Sequence, residues 1–133
     1  MKVTLIGGGW DPLIAADLYA PFAEAVLDRG GRLVCLLQEG VDPRRWVKHL
    51  GGFGLSDVSV VDVCPDRGVP MRVIEESHGV LVCGGRNPLY QRSLVALTRG
   101  MAGHLRDQQV PYLGFSAGAA VGGRFAVCGG HET

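Results

Sequence analysis

Apolar residues fall in six short runs, at positions 3–6, 32–37, 57–63, 79–83, 110–115 and 124–128. Most are continuous rather than alternating, the pattern of strands buried on both faces. Between them the period changes to a helical one. Asp11-Pro12 supplies a cap and a first turn, and Pro21 divides the helical pattern, so the spacing predicts a short helix over 12–19 and a second from Pro21 to Gly30-Gly31. Asp42-Pro43 starts another helix carrying Trp46, Val47 and Leu50, and a weak one covers 71–77. Asn87-Pro88 opens a long helix with Leu89, Leu94, Leu97, Met101 and Leu105 along one side. Strands alternating with helices predict a three-layer α/β domain, with a mostly parallel sheet and helices on both faces.

In such sheets, ligands bind beyond the carboxyl ends of the strands. Three glycine-rich segments fall there: Gly7-Gly8-Gly9-Trp10, Gly84-Gly85-Arg86-Asn87 and Gly114-Phe115-Ser116-Ala117-Gly118. The third turns a strand sharply into small, helix-compatible residues, as a nucleophile elbow does. Glycines two positions either side of Ser116 remove side chains that would collide in so tight a turn. The alternative is a glycine-rich turn with an ordinary capping serine. One amide of Gly84 or Gly85, with that of Ala117, would suit an oxyanion, although a turn that merely needs glycine explains the pair as well. The first glycine loop lacks the spacing of a dinucleotide fingerprint, since the sixth position from Gly7 is Pro12, and no phosphate-binding Gly-Lys-Ser/Thr occurs. It is read as a wall of the substrate site, Trp10 included, or as a tight turn.

A serine nucleophile needs a base, normally histidine oriented by a carboxylate. His49, His78 and His104 are expected to be ordinary surface residues. His131 follows the sixth run and has Glu132 beside it, but neighbouring strand residues point to opposite faces, which hinders a single relay through both. Arg86, Arg92 and Arg124 are cations suited to an acidic substrate group, and Asn87 is a substrate contact or, more simply, a helix cap.

The 133 residues suffice for one domain, 1–133, but are few for a hydrolase with a complete doubly wound sheet. Thirteen basic residues balance thirteen acidic ones, which argues against nucleic acid and anionic membranes as partners. No apolar run is long enough for a membrane helix or signal peptide, so a cytoplasmic setting is expected. Cys35, Cys64, Cys83 and Cys128 sit in or at the ends of apolar runs without Cys-x-x-Cys spacing and read as buried thiols.

Gly-Phe-Ser116-Ala-Gly-Ala, preceded by Leu-Val-Cys-Gly84-Gly85-Arg-Asn87-Pro-Leu-Tyr90, resembles the dipeptidase E and cyanophycinase family of serine peptidases. Gly-Gly-Gly-Trp10 and Tyr19-x-Pro21-Phe22 resemble its shorter bacterial branch. The resemblance implies a class I glutamine amidotransferase-like fold and metal-free, cofactor-free cleavage of amide bonds next to aspartate in small peptides or related polymers. It makes Ser116 the nucleophile, Gly84 or Gly85 with Ala117 the oxyanion site, and the region of His131 and Glu132 the place of the acid. The family's histidine comes later than residue 133. The fold is therefore expected to be incomplete at its C-terminus, with the base supplied by a further segment or a second chain. A homo-oligomer, a non-catalytic ligand-binding subunit and an α/β-hydrolase-type esterase are the other expectations.

Overall fold

The computed structural model describes residues 2–94 and 98–121. Five strands form one sheet: β1 (Val3–Ile6), β2 (Arg32–Gln38), β3 (Asp57–Val63), β4 (Gly79–Val82) and β5 (Tyr112–Phe115), in the order β1-β5-β4-β2-β3. Every pairing is parallel. The helices are α1 (Pro12–Asp28), α2 (Arg44–Gly51), α3 (Met71–Glu75), α4 (Asn87–Leu94), α5 (Thr98–Asp107) and α6 (Ala117–Val121).

Alternation along the central strands divides the core into two layers. Leu33, Cys35 and Leu37 of β2, with Leu81 and Leu113, pack on Phe22 and Val26 of α1 and on Trp46 and Leu50 of α2. Val34, Leu36, Val80, Val82 and Tyr112 face the other way, onto Ile74, Tyr90, Leu94, Met101, Leu105 and Ala117. Helices thus cover both faces of a parallel sheet, the three-layer α/β architecture that the sequence predicts. The sixth run, at 124–128, lies outside the described residues.

Two boundaries differ from the sequence reading. Pro21 lies inside α1 without ending it. The proline removes one amide from the helix ladder, but Asp17, whose carbonyl would have received it, is exposed to water, while Tyr19, Phe22, Ala23 and Val26 stay buried on the sheet side. Burial of that face outweighs one lost hydrogen bond. Asp11 caps the same helix, accepting the Leu13 amide at 2.9 Å; Asp11→Ala should lower stability by about 1 kcal/mol in denaturant titration. The long helix expected after Asn87 is represented by α4 and α5, with residues 95–97 between them outside the description.

At the far edge of the sheet, β1 pairs with β5 alone among the described strands, and Val3 and Leu5 are 50% and 53% exposed. Three cysteines, Cys35, Cys64 and Cys83, are buried free thiols, as expected, and Cys128 lies outside the described residues. The Cys35 and Cys83 sulfurs are 3.1 Å apart. Burial pushes the Cys83 thiol far up, with the neighbouring Cys35 adding to the shift, so it is held as an unreactive thiol.

Candidate functional site

Ser116 follows the last residue of β5 and precedes α6, and its backbone is left-handed, with φ of 53°. A side chain in that region costs on the order of 1–2 kcal/mol, so the surroundings must hold it there. They do so from three directions. The Ser116 amide donates to the Ile6 carbonyl at 2.7 Å, the Ala119 amide donates back to the Ser116 carbonyl at 3.0 Å, and the Tyr112 hydroxyl donates to the Gly118 carbonyl at 2.8 Å. Phe115 and Ala117 on either side are buried, whereas Ser116 is exposed.

Both flanking glycines are sterically required. A Cβ at Gly114 would collide with the Gly118 carbonyl and lie 2.8 Å from the Ala119 nitrogen. A Cβ at Gly118 would collide with the Val82 carbonyl oxygen and lie 3.0 Å from Val82 Cβ. Since the obstructing atoms are mostly backbone, rotamer changes cannot relieve either clash.

The loop after β4 lies against this turn. A Cβ at Gly84 would be 3.3 Å from Ser116 Cβ and 3.3 Å from the Phe115 ring, so the bare backbone of this loop lies closely beside the serine and a side chain would be tight there. A Cβ at Gly85 would meet Gln38 Oε1 at 2.6 Å and the Tyr90 ring at 2.9 Å. Among the described residues no backbone acceptor takes the Gly84 or Gly85 amide. Gln38 fixes the loop: its side-chain oxygen accepts the Arg86 amide at 2.8 Å. Tyr90, wholly buried, fixes it again, accepting the Gln38 amide at 2.8 Å and donating to the Gly84 carbonyl at 3.3 Å. Neither role is visible in the sequence beyond one hint, a polar glutamine ending the otherwise apolar Leu33–Leu37 run. Tyr90→Phe leaves the Gln38 amide and Gly84 carbonyl without this partner and should cost about 1–3 kcal/mol, read from the urea midpoint.

Of the other candidates, Arg86 is exposed on the loop and Arg92 on α4, while Asn87 opens α4 with its side chain outside the described set. Arg124, His131 and Glu132 lie outside the described residues. His78 precedes β4, at the amino ends of the strands, where its Nδ1 accepts the Arg32 amide at 3.0 Å. His104 lies in the last turn of α5. Both are remote from the carboxyl edge that carries Ser116.

His49 is half-buried among aromatic rings rather than an ordinary surface residue. Its ring lies edge-on to Tyr19 at 4.4 Å, to Trp10 at 5.3 Å and to Phe53 at 5.3 Å. Trp10 in turn meets Trp46 at 4.8 Å and Phe115 at 5.3 Å, and the Arg45 guanidinium lies 3.8 Å over its ring. The first glycine loop therefore ends in an aromatic cluster, built by residues whose packing only the tertiary fold reveals. Desolvation holds the His49 pKa below its ordinary 6.5, and the Arg45 charge lowers it further. A depressed folded-state pKa contributes stability above the unfolded value that is lost as pH falls through the folded one. Acidification from pH 7.5 to 5 should thus lower the thermal midpoint more in the wild type than in His49→Gln.

No helix among the described residues is long and apolar enough to cross a membrane. No protein-family profile matches the chain, and neither does any curated protein. Among solved structures it is similar to a Listeria monocytogenes EGD-e protein described as a candidate peptidase E, with 18% identity and a TM-score of 0.67 over 91% of this chain. The chain spans 61% of the length of that protein. The similarity establishes a peptidase E-like fold.

Proposed function

We propose that the chain carries the nucleophile of a serine peptidase or amidohydrolase of the peptidase E kind. The observation that carries this reading is Ser116, an exposed serine held left-handed between two glycines that admit no side chain, with the bare Gly84 backbone against it. Strain maintained at a polar, exposed residue is characteristic of reactive sites, and a nucleophile elbow is the arrangement it fits. Support for the peptidase reading within serine hydrolases comes from the fold shared with the Listeria protein.

In this reading the Ser116 Oγ attacks the carbonyl carbon of an amide while its proton passes to a base. Charge on the carbonyl oxygen is met by an amide of Gly84 or Gly85 and that of Ala117. The tetrahedral adduct then expels the amine, which leaves with the proton, and water releases the acyl group by the reverse steps. No hydrogen bond joins a described histidine to Ser116, and in this reading the base is His131, a further segment or a second chain, with Glu132 as the orienting acid. Small peptides or amides next to aspartate are the substrate, their carboxylate met by Arg86 or Arg124, with Asn87 and Trp10 lining the site. Free thiols at Cys35, Cys64 and Cys83 suit a reducing, cytoplasmic setting.

The test is labelling by a serine-directed fluorophosphonate, combined with the intact mass of the natural protein. Site-specific adduct formation at Ser116, together with hydrolysis of aspartyl dipeptides in preference to simple esters, supports the proposal. A natural protein that never labels at Ser116 removes the hydrolase and leaves a subunit that binds small acidic ligands in the same crevice.

A further inference from the structure

The outer side of β1 is an open sheet edge. Toward β5, the Lys2 carbonyl accepts the Tyr112 amide at 2.9 Å and the Ile6 carbonyl accepts the Ser116 amide at 2.7 Å. In a parallel ladder alternate residues bond to the same neighbour, so Thr4 and Ile6 turn their amides toward β5 while Val3 and Leu5 turn theirs outward. Among the described strands none pairs with that outer side. The Val3 and Leu5 side chains are half-exposed as well, whereas β4 and β5 are buried throughout. The opposite edge, β3, is guarded by Asp57 and Asp62, but β1 carries no charge. Unpaired backbone beside uncharged, apolar side chains is a template for strand pairing, and folded proteins cover such edges.

The course of the chain limits what can fill it. From β1 to β2 to β3 the chain steps across the sheet with α1 and α2 on one face, and from β3 through β4 to β5 it steps back toward β1 with α3, α4 and α5 on the other. α6 lies on that second face, against β5, β4 and β1. Crossovers between parallel strands are right-handed almost without exception, so a further parallel strand after α6 continues in the same direction and falls outside β1. Gly122 and Gly123 separate α6 from the sixth apolar run, at 124–128. They span at most about 10 Å, an ordinary length for a helix-to-strand connection. The open side of β1 lies two strand spacings from β5, roughly 10 Å, and that of β3 lies four spacings away, roughly 19 Å. Residues 125–128, Phe-Ala-Val-Cys, are uncharged and equal in number to the four of β1.

We infer that the outer edge of β1 is a docking site for an uncharged strand, and that residues 124–128 of this chain occupy it as a sixth strand, parallel to β1. Their backbone meets the outward-facing amides and carbonyls of Val3 and Leu5, and the addition leaves the five described strands in their present order. The inference is independent of whether Ser116 attacks a substrate, because it concerns backbone pairing alone.

NMR of the full chain tests this, through amide exchange and backbone NOEs, on the wild type and on Ala126→Pro and Val127→Pro. Alternate residues of the run face β1, so one of the two prolines must remove a donor to it. In the wild type, NOEs should join residues 3–5 to residues 124–128, and in a mixture of labelled and unlabelled chains they should arise within one chain. The Val3 and Leu5 amides should exchange at least about 10-fold faster in one or both proline variants, while Thr4 and Ile6, bonded to β5, keep their protection. Should a variant lose the Thr4 and Ile6 protection too, it has unfolded, and the wild-type NOEs decide. Val3 and Leu5 amides unprotected in the wild type, NOEs from β1 to a different segment, or NOEs between copies would each overturn the inference, the last by making a second copy the occupant.

Discussion

Ser116→Ala is expected to eliminate fluorophosphonate labelling and to lower amide hydrolysis by about 1,000-fold or more, since no neighbouring group replaces a lost nucleophilic oxygen. The fold should not change. Alanine occupies the left-handed backbone at much the same cost as serine, and the hydrogen bonds that hold the turn come from the backbone of Ile6, Ser116 and Ala119 and from Tyr112. Ser116→Gly separates chemistry from stability more sharply. It should be equally inactive yet about 1 kcal/mol more stable in urea, because glycine adopts a φ of 53° without strain. A glycine variant no more stable than wild type would mean that the serine is unstrained, and the main physical argument for a reactive site would be lost.

Gly118→Ala is expected to have the largest effect on stability. The new methyl would meet the Val82 carbonyl, part of the β4 backbone in the middle of the sheet, where Val82 is itself wholly buried. β4 cannot withdraw without breaking the parallel pairing of Val82 with Gly114 and of Leu36 with Val82, and α6 cannot withdraw without losing the Tyr112 hydroxyl on the Gly118 carbonyl. Overpacking of this kind costs about 3 kcal/mol or more, enough to lower the melting temperature by roughly 10 °C or prevent folding. Gly103→Ala is the control: nothing lies within 4 Å of its would-be Cβ, and it sits within α5. Its stability should rise slightly, consistent with helix propensity. Circular dichroism melts of the two variants provide the comparison.

The parts of this site legible in the sequence are those whose causes are local. Gly114-Phe-Ser-Ala-Gly118 announces a tight strand-to-helix turn because the steric demand acts within five residues, and the strand runs show themselves by unbroken apolarity. Pro21 misleads for the complementary reason. Its local preference is to break a helix, and only the burial of Phe22, Ala23 and Val26 against the sheet shows why α1 continues. Gln38, Tyr90 and His49 are not legible as site builders. Each acts on a residue far away in the chain, Gln38 on Arg86 and His49 on Trp10 and Tyr19, and nothing adjacent to it in sequence records the contact.

The pairing of β1 with β5 also governs when the Ser116 turn can come into being. Val3 is in register with Tyr112 and Ile6 with Phe115, and the Ser116 amide is bonded to Ile6. A chain leaving the ribosome at about 5–20 residues per second would hold its first strand without this neighbour for roughly 5–20 s. Contacts so distant in sequence also form slowly in free refolding. Ser116 should accordingly be among the last positions to gain protection in pulse-labelled refolding, after the β2–β4 pair, and nascent chains that stop before Tyr112 should expose Ile6 and the unpaired backbone of β1 to chaperones.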